Sequence, residues 1–418
     1  MNNWKLGQKF LESLRTPLGI TASSSAGGFH AIFGRDSLWS VIFMLEAAQL
    51  RPADQQYRTW VHEVATTILR GMAYLQGKVE NDYNEEQPGK IIHEYWGDHP
   101  SEHLLRAAWP MADGRYYGTV DATFLYLVCI RQFHELFHDQ ALLDELWPSI
   151  QAALGWALHY SDLDNDGLVE YKRRNPQQLG LSNQVWKDSG DSVLLPGDLP
   201  VETPIAWVEI QGYALAAYSS MITFYQGRGE LTPDITAQLT ERMNALYSGL
   251  QRFWMEDEGC FTIALDKNKE MVKAVSSNTG HLLWSKAIGG EQARKVAARL
   301  THPDMLTDWG LRTLSQNAYY YNPLMYHRGT IWPFDNAIAA IGLRQYGYHA
   351  QAQRIATAVM RAVDTFTLPV ELYCVIPARW IRDPHIDREW LLADYPQSCS
   401  VQAWTAAAML YFTALLEE

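Results

Sequence analysis

Ten stretches of this 418-residue chain repeat apolar residues three or four apart, and what separates them alternates: short connections, then polar, aromatic-rich loops of about a dozen residues or more. The spacing predicts helices over Asp36 to Leu50, Thr59 to Leu75, Asp121 to Phe137, Leu142 to Tyr160 and Pro204 to Phe224. Further helices are predicted over Asp234 to Trp254, Glu291 to Leu300, Thr330 to Tyr346, His349 to Val363 and Val401 to Leu416. The long loops run from Ser23 to Arg35, Asn81 to Gly118, Asp162 to Thr203, Leu306 to Gly329 and Thr367 to Gln397. Long loops in a compact domain carry function. Helices paired into hairpins around an axis would bring these loops together at one end, so the expected fold is all-α, an (α/α)6 toroid with minor β-hairpins in its loops. The best strand signal is Gly259 to Leu265, with Asp266 to Lys269 as its turn. No linker or low-complexity tract divides the chain, and a single catalytic domain over residues 1–418 is expected.

Apolar residues make up 47% of the chain and charged residues 19%, which is ample for a large core and argues against disorder. A formal net charge of −13 with no dense Lys/Arg run argues against a nucleic-acid partner. Cys129, Cys260, Cys374 and Cys399 are scattered without metal-ligand spacing, so they read as reduced thiols. No apolar run approaches the ~18 residues of a membrane span, and the first residues lack the pattern of an export signal. A cytoplasmic protein without a membrane partner is expected, and nothing in the sequence bears on its oligomeric state. No cofactor and no required metal are expected. Asp164-Asn165-Asp166-Gly167 resembles the start of a calcium loop, but it lacks the full ligand spacing and reads as a tight turn.

Acidic side chains set among Gly, Pro and aromatic residues recur before the helices, a pattern that suits a small carbohydrate substrate. Phe33-Gly34-Arg35-Asp36-Ser37-Leu38-Trp39 puts an Arg-Asp pair at the mouth of a helix, where Asp36 can accept sugar hydroxyls while Arg35 holds it ionised. His93-Glu94-Tyr95-Trp96 and Tyr117-Gly118-Thr119-Val120-Asp121 repeat the pattern, with Asp121 divided between helix cap and ligand contact. Trp186-Lys187-Asp188-Ser189-Gly190-Asp191 holds two carboxyls three residues apart, and adjacent negative charge raises the pKa of an acid. Tyr326-His327-Arg328-Gly329-Thr330-Ile331-Trp332-Pro333 offers Trp332 as a stacking platform and His327 as a hydrogen-bond donor. Leu368-Pro369-Val370-Glu371-Leu372 supplies a distant second acid. Of the residues before the last helix, Trp404 reads as packing and Gln402 stays open between packing and contact. An acid and a base on opposite faces of a sugar ring come from two such places, and Asp188 is assigned as acid and Glu371 as base.

Taken in order, these segments resemble the catalytic domain of the amylo-α-1,6-glucosidase or glycogen-debranching family, with its relatives among processing α-glucosidases and glucosyl- or mannosylglycerate hydrolases. The resemblance implies the (α/α)6 barrel and an inverting mechanism, with the acid at Asp188 and the base at Glu371. It also implies sugar contacts from Arg35, Asp36, Glu94, Asp121, Lys187 and Glu209. Trp39, Tyr117, Trp186, His327, Arg328 and Trp332 complete the expected contact set. Val370 is inserted relative to the usual Leu-Pro-Glu-Leu of the base motif. The chain enters the barrel within its first thirty residues, which favours a small α-glucoside or glycosylglycerate over glycogen. The alternatives are a debranching activity, a sugar epimerase working through histidines, and an idle carbohydrate-binding protein. Inversion carries a geometric expectation, two carboxyls roughly 6.5 to 9.5 Å apart with room for a water.

Overall fold

Helices dominate the computed structural model, which describes residues 2–97, 109–381, 383 and 386–418. In chain order the helices among the described residues are α1 (Asn3–Ser13), α2 (Gly34–Leu50), α3 (Gln55–Leu75), α4 (Ala122–Phe137), α5 (Gln140–His159) and α6 (Val208–Gly227). They continue with α7 (Pro233–Leu250), α8 (Asn278–Trp284), α9 (Gly290–Leu300), α10 (Pro333–Gln345), α11 (His349–Phe366) and α12 (Ala403–Glu417).

Two kinds of helix alternate. In α2 every residue from Gly34 to Ala48 is buried, and α8, α10 and α12 are covered almost as completely. A helix that is apolar on all sides belongs inside. The outer helices bury one stripe each: α11 buries Ala352, Ile355, Ala356 and Val359 and turns its other face to solvent. The inner helices touch in the order α2, α4, α6, α8, α10, α12 and back to α2, a closed ring. Each has an outer partner: α3, α5, α7, α9 and α11 follow their inner helices, and α1 packs on α12. The hairpin that closes the ring is therefore made from the two ends of the chain. This is the all-α toroid.

The inner helices all begin at one end of the ring. Outer helices α3, α5 and α7 are capped by their own Asp54, Asp139 and Thr232. The residues before α2, α4, α6, α10 and α12 make no such side-chain cap bond. Their open amide ends and the positive ends of their dipoles favour negative charge. Asp36, Glu209 and Asp335 stand in the first turns of α2, α6 and α10. Gly34 opens α2 because the strand Glu94–Tyr95 lies across it; a Cβ there would come 2.1 Å from the Ile92 carbonyl oxygen.

Some boundaries differ from the periodicity. The helix predicted to reach Trp254 stops at Leu250, because Trp254–Met255 pairs with Cys260–Phe261 as a strand. The predicted hairpin is present, with Ala264–Leu265 against Met271–Val272 and the Asp266 turn between them. Helices α1 and α8 have no counterpart among the predicted stretches; α8 is short and wholly buried and so shows no amphipathic period. The loop after α11 contains an unpredicted antiparallel pair, Tyr373–Pro377 with Trp390–Asp394. Part of the predicted loop Asn81 to Gly118 lies outside the described residues.

Candidate active site

The loops at the open end of the ring surround a cavity of about 640 Å³. Asp188 and Glu371 both face it, on different loops, together with Arg35, Asp36 and Glu94.

Arg35 organises the carboxylates around it. Its Nε donates to Asp121 Oδ2 at 2.6 Å, its Nη1 to Asp188 Oδ2 at 3.4 Å and its Nη2 to Thr119 Oγ1 at 3.4 Å. Asp121, weighed above between cap and ligand contact, makes no side-chain cap bond: its carboxylate bonds Arg35 and the Thr119 hydroxyl. Burial pushes the Asp188 carboxyl up to about 6, against the pull of Arg35. A quarter of its side chain still meets solvent, at 27% exposure, so it can reach a ligand.

Glu371 is almost completely buried, and each of its oxygens accepts a hydrogen bond. The Tyr326 hydroxyl donates to Oε1 at 2.5 Å and the Cys399 amide to Oε2 at 3.2 Å. The Glu371 amide donates back to the Cys399 carbonyl at 2.9 Å. Burial raises this carboxyl to about 7, while the Tyr326 hydrogen bond works the other way and Asp188 adds to the rise. Val370 packs into a small apolar cluster with Trp309, Ile331, Tyr373 and Val375, and the next residue faces the cavity. Asp36 takes a hydrogen bond from Gln402 Nε2 at 3.0 Å, and burial lifts its carboxyl to about 8, with Glu371 and Asp188 contributing. Glu94 accepts from the indoles of Trp96 at 2.7 Å and Trp109 at 2.5 Å.

The aromatic wall is locked by ring contacts. His327 stacks on Trp332 with centroids 5.0 Å apart, and Trp186 stacks on His281 at 5.9 Å. Burial holds His327 well below its ordinary pKa, so the ring is neutral; its Nδ1 is 2.9 Å from Ser189 Oγ. Arg328 Nη1 is 3.5 Å from Asp191 and its Nε donates to the Tyr320 carbonyl at 2.9 Å. The turn Tyr326-His327-Arg328 thus touches Glu371 through its first residue and the Asp188 loop through its second and third.

Of the expected contact set, Arg35, Asp36, Glu94, Trp186, His327 and Trp332 line the cavity. The other six are not among the described residues that line it. Trp39 packs on Trp284 with centroids 4.6 Å apart, and the Tyr117 hydroxyl donates to the Leu75 carbonyl at 2.8 Å. Lys187 Nζ donates to the Thr313 carbonyl at 2.6 Å beneath the wall. Glu209 is fully buried with its carboxyl raised to about 7 by that burial. Arg328 and Asp121 have the partners already given. Gln402, left open above, lines the cavity; Trp404 lines it too, although it also stacks on Phe334 at 3.8 Å as packing requires. Phe29, Phe33, His93, Trp109 and Tyr326 are wall residues without an assigned role in the sequence reading. Tyr326 sat inside a quoted motif, but its partner lies 45 positions away.

Among the described residues, one group of acids is close enough to share an ion: Asp162, Asp164, Asp166 and Glu170, in the tight turn after α5. Its backbone bonds are those of the predicted turn, with the Asp166 amide on Asp164 at 3.2 Å and the Leu168 amide on Asp166 at 3.0 Å. The ammonium of Lys269 stands among these acids, on Glu170 and 3.0 Å from Asp164. No helix among the described residues is long and apolar enough to cross a membrane.

Comparison with known proteins agrees with this architecture. Residues 204–368 match the family described as the mannosylglycerate hydrolase MGH1-like glycoside hydrolase domain. Among curated proteins, none matches the chain. Among solved structures, the GH63 mannosylglycerate hydrolase from Thermus thermophilus in complex with Tris and D-glycerate aligns with a TM-score of 0.70 at 15% identity, covering 99% of this chain and 100% of that one. The same enzyme in complex with glucose aligns at 0.66 with 16% identity, covering 99% and 100%. With that toroid shared along its whole length and a glycoside hydrolase domain matched over residues 204–368, the chain is a glycoside hydrolase of the (α/α)6 fold.

Proposed function

We propose that this hydrolase is an exo-acting inverting α-glycosidase that holds one terminal glucosyl or mannosyl residue in the cavity and releases it from a small α-glucoside, oligosaccharide or glycosylglycerate. The observation that carries the reading is the placement of two raised carboxyls, Asp188 and Glu371, on different loops around one cavity. Asp188, protonated, gives its proton to the glycosidic oxygen as the bond from that oxygen to the anomeric carbon breaks. Glu371, ionised, takes a proton from the water that attacks the anomeric carbon from the opposite face, and the sugar leaves with inverted configuration. Asp36 and Glu94 accept sugar hydroxyls, and Trp186 and Trp332 offer faces for the ring carbons. The glucose and glycerate named with the Thermus thermophilus structures support a substrate of this size. The epimerase alternative would draw on His30, His93, His281 and His327; of these, His93 and His327 line the cavity, while His281 is buried between Tyr213 and Asp335. Four buried, unpaired cysteines suit a reducing compartment.

The test is hydrolysis of isomaltose, maltose, panose, glucosylglycerate and mannosylglycerate, with the product anomer read by proton NMR. The reading expects the β anomer first and its loss in Asp188→Asn and Glu371→Gln. First release of the α anomer, or no hydrolysis of any of the five, overturns it.

A further inference from the structure

The base has two donors of different kinds. The Cys399 amide is backbone and pairs with the main chain of Glu371 as well; the Tyr326 hydroxyl is a side-chain donor from another loop and makes the shorter of the two bonds. We propose that Tyr326 is the positioning residue of the base, its hydroxyl fixing the Glu371 carboxylate at Oε1 while the Cys399 amide holds Oε2. This inference rests on the reading of Glu371 as the base.

The surroundings of Tyr326 are built to hold it. Its ring meets Trp332 edge-on at 4.8 Å and lies 5.7 Å from Tyr395. Its carbonyl accepts from Trp332 Nε1 at 3.1 Å and from Thr330 Oγ1 at 2.5 Å. The turn it belongs to is closed by the Asn322 amide on the Arg328 carbonyl at 2.7 Å. A hydroxyl pinned in this way loses little freedom when it bonds the carboxylate, and it donates most strongly to an acceptor that is ionised. A donor on the charged form favours that form, so the hydroxyl both aims Glu371 and works towards its ionised form in a setting whose burial works against ionisation. The same turn reaches the loop of the acid through His327 and Arg328, so Tyr326 sets the base relative to the acid as well as relative to its own loop.

Two measurements on wild type and Tyr326→Phe test the assignment. In protein labelled with carbon-13 at the glutamate carboxyls, the Glu371 resonance is the one missing in Glu371→Gln. It is expected to titrate about one pH unit higher in Tyr326→Phe than in wild type. On whichever substrate the wild type hydrolyses, kcat is expected to fall about ten- to a hundredfold with KM within about twofold, because the lost bond serves the transition state. An unmoved Glu371 titration overturns the proposal whatever the kinetics show. An upward titration shift with no hydrolysis of any sugar by wild type supports the bond and overturns the glycosidase reading instead, so the two failures are told apart.

Discussion

Arg35 lies between two carboxylates that differ in exposure, bonded at 2.6 Å to the buried Asp121 and at 3.4 Å to the solvent-reaching Asp188. The shorter bond is structural and the longer one electrostatic, so a single guanidinium anchors the start of α2 to that of α4 while also facing Asp188. Arg35→Met would leave Asp121, 1% exposed, as an uncompensated buried charge. Urea unfolding should show a loss of about 3–5 kcal/mol. Asp188→Asn, which leaves the Asp121 bond intact, should cost less than about 1 kcal/mol. Equal losses in the two variants would refute this division of labour.

The pH dependence follows from the pair. The competent state holds one proton shared between Asp188 and Glu371, whichever carries it in the free enzyme, and rate depends on the abundance of that state. Burial sets the two carboxyls at about 6 and about 7, so the singly protonated pair is most abundant between these values. A plot of kcat/KM against pH should be a narrow bell with its maximum between about 6 and about 7. A profile flat from about pH 5 to about pH 8 would show that these carboxyls do not carry the reaction.

Much of this was legible in the sequence, for physical reasons. Inner helices α2, α6 and α10 announce themselves by apolar residues on most sides and an acid in the first turn, and Asp188 and Glu371 stand among Gly, Pro and aromatic residues that no solvated turn needs. What periodicity does not carry is pairing across long separations. The bond from Tyr326 to Glu371 and that from Gln402 to Asp36 depend on which loops meet, and the sixth hairpin joins α1 to α12 from opposite ends of the chain. Asp121 shows the limit most clearly. A carboxylate before a helix reads as a cap or a ligand contact, whereas here a guanidinium 86 residues away claims it.

Stability should run against ionisation at this site. Glu371 titrates at about 7 in the folded protein and near ~4.3 when unfolded. Its folded pKa is raised, so its contribution is fully present below about pH 4 and is lost as pH rises through about 7. The cost at about pH 8 is roughly 3–4 kcal/mol relative to acid conditions. In Glu371→Gln the amide oxygen can accept from the Cys399 amide while the NH2 donates to a rotated Tyr326 hydroxyl. The variant should therefore resist urea better than wild type at about pH 8 and come close to it near pH ~5. A variant weaker than wild type at the higher pH would mean that the carboxylate is stabilised by its setting.

The turn after α5 carries its own cation. Glu170 has a fully buried side chain, and the ammonium of Lys269, 10% exposed, bonds it while lying 3.0 Å from Asp164 and 3.7 Å from Asp166. Arg242 and Arg252 take the outer oxygens of Asp162 and Asp166 at 2.7 and 2.9 Å. A point charge with three donors lies against three of these four acids, and its removal leaves a buried carboxylate without its partner. Lys269→Met should therefore lose about 3–5 kcal/mol in urea unfolding. Because Lys269 comes from the turn between the strands Ala264–Leu265 and Met271–Val272, it ties that hairpin to the root of the loop that bears Asp188. The stability of the wild type should be the same with a chelator as with millimolar calcium. The variant, with its acids exposed to an ion, should regain part of its loss when calcium is added. A wild type that a chelator destabilises would show that the ammonium does not serve as the cation of this turn.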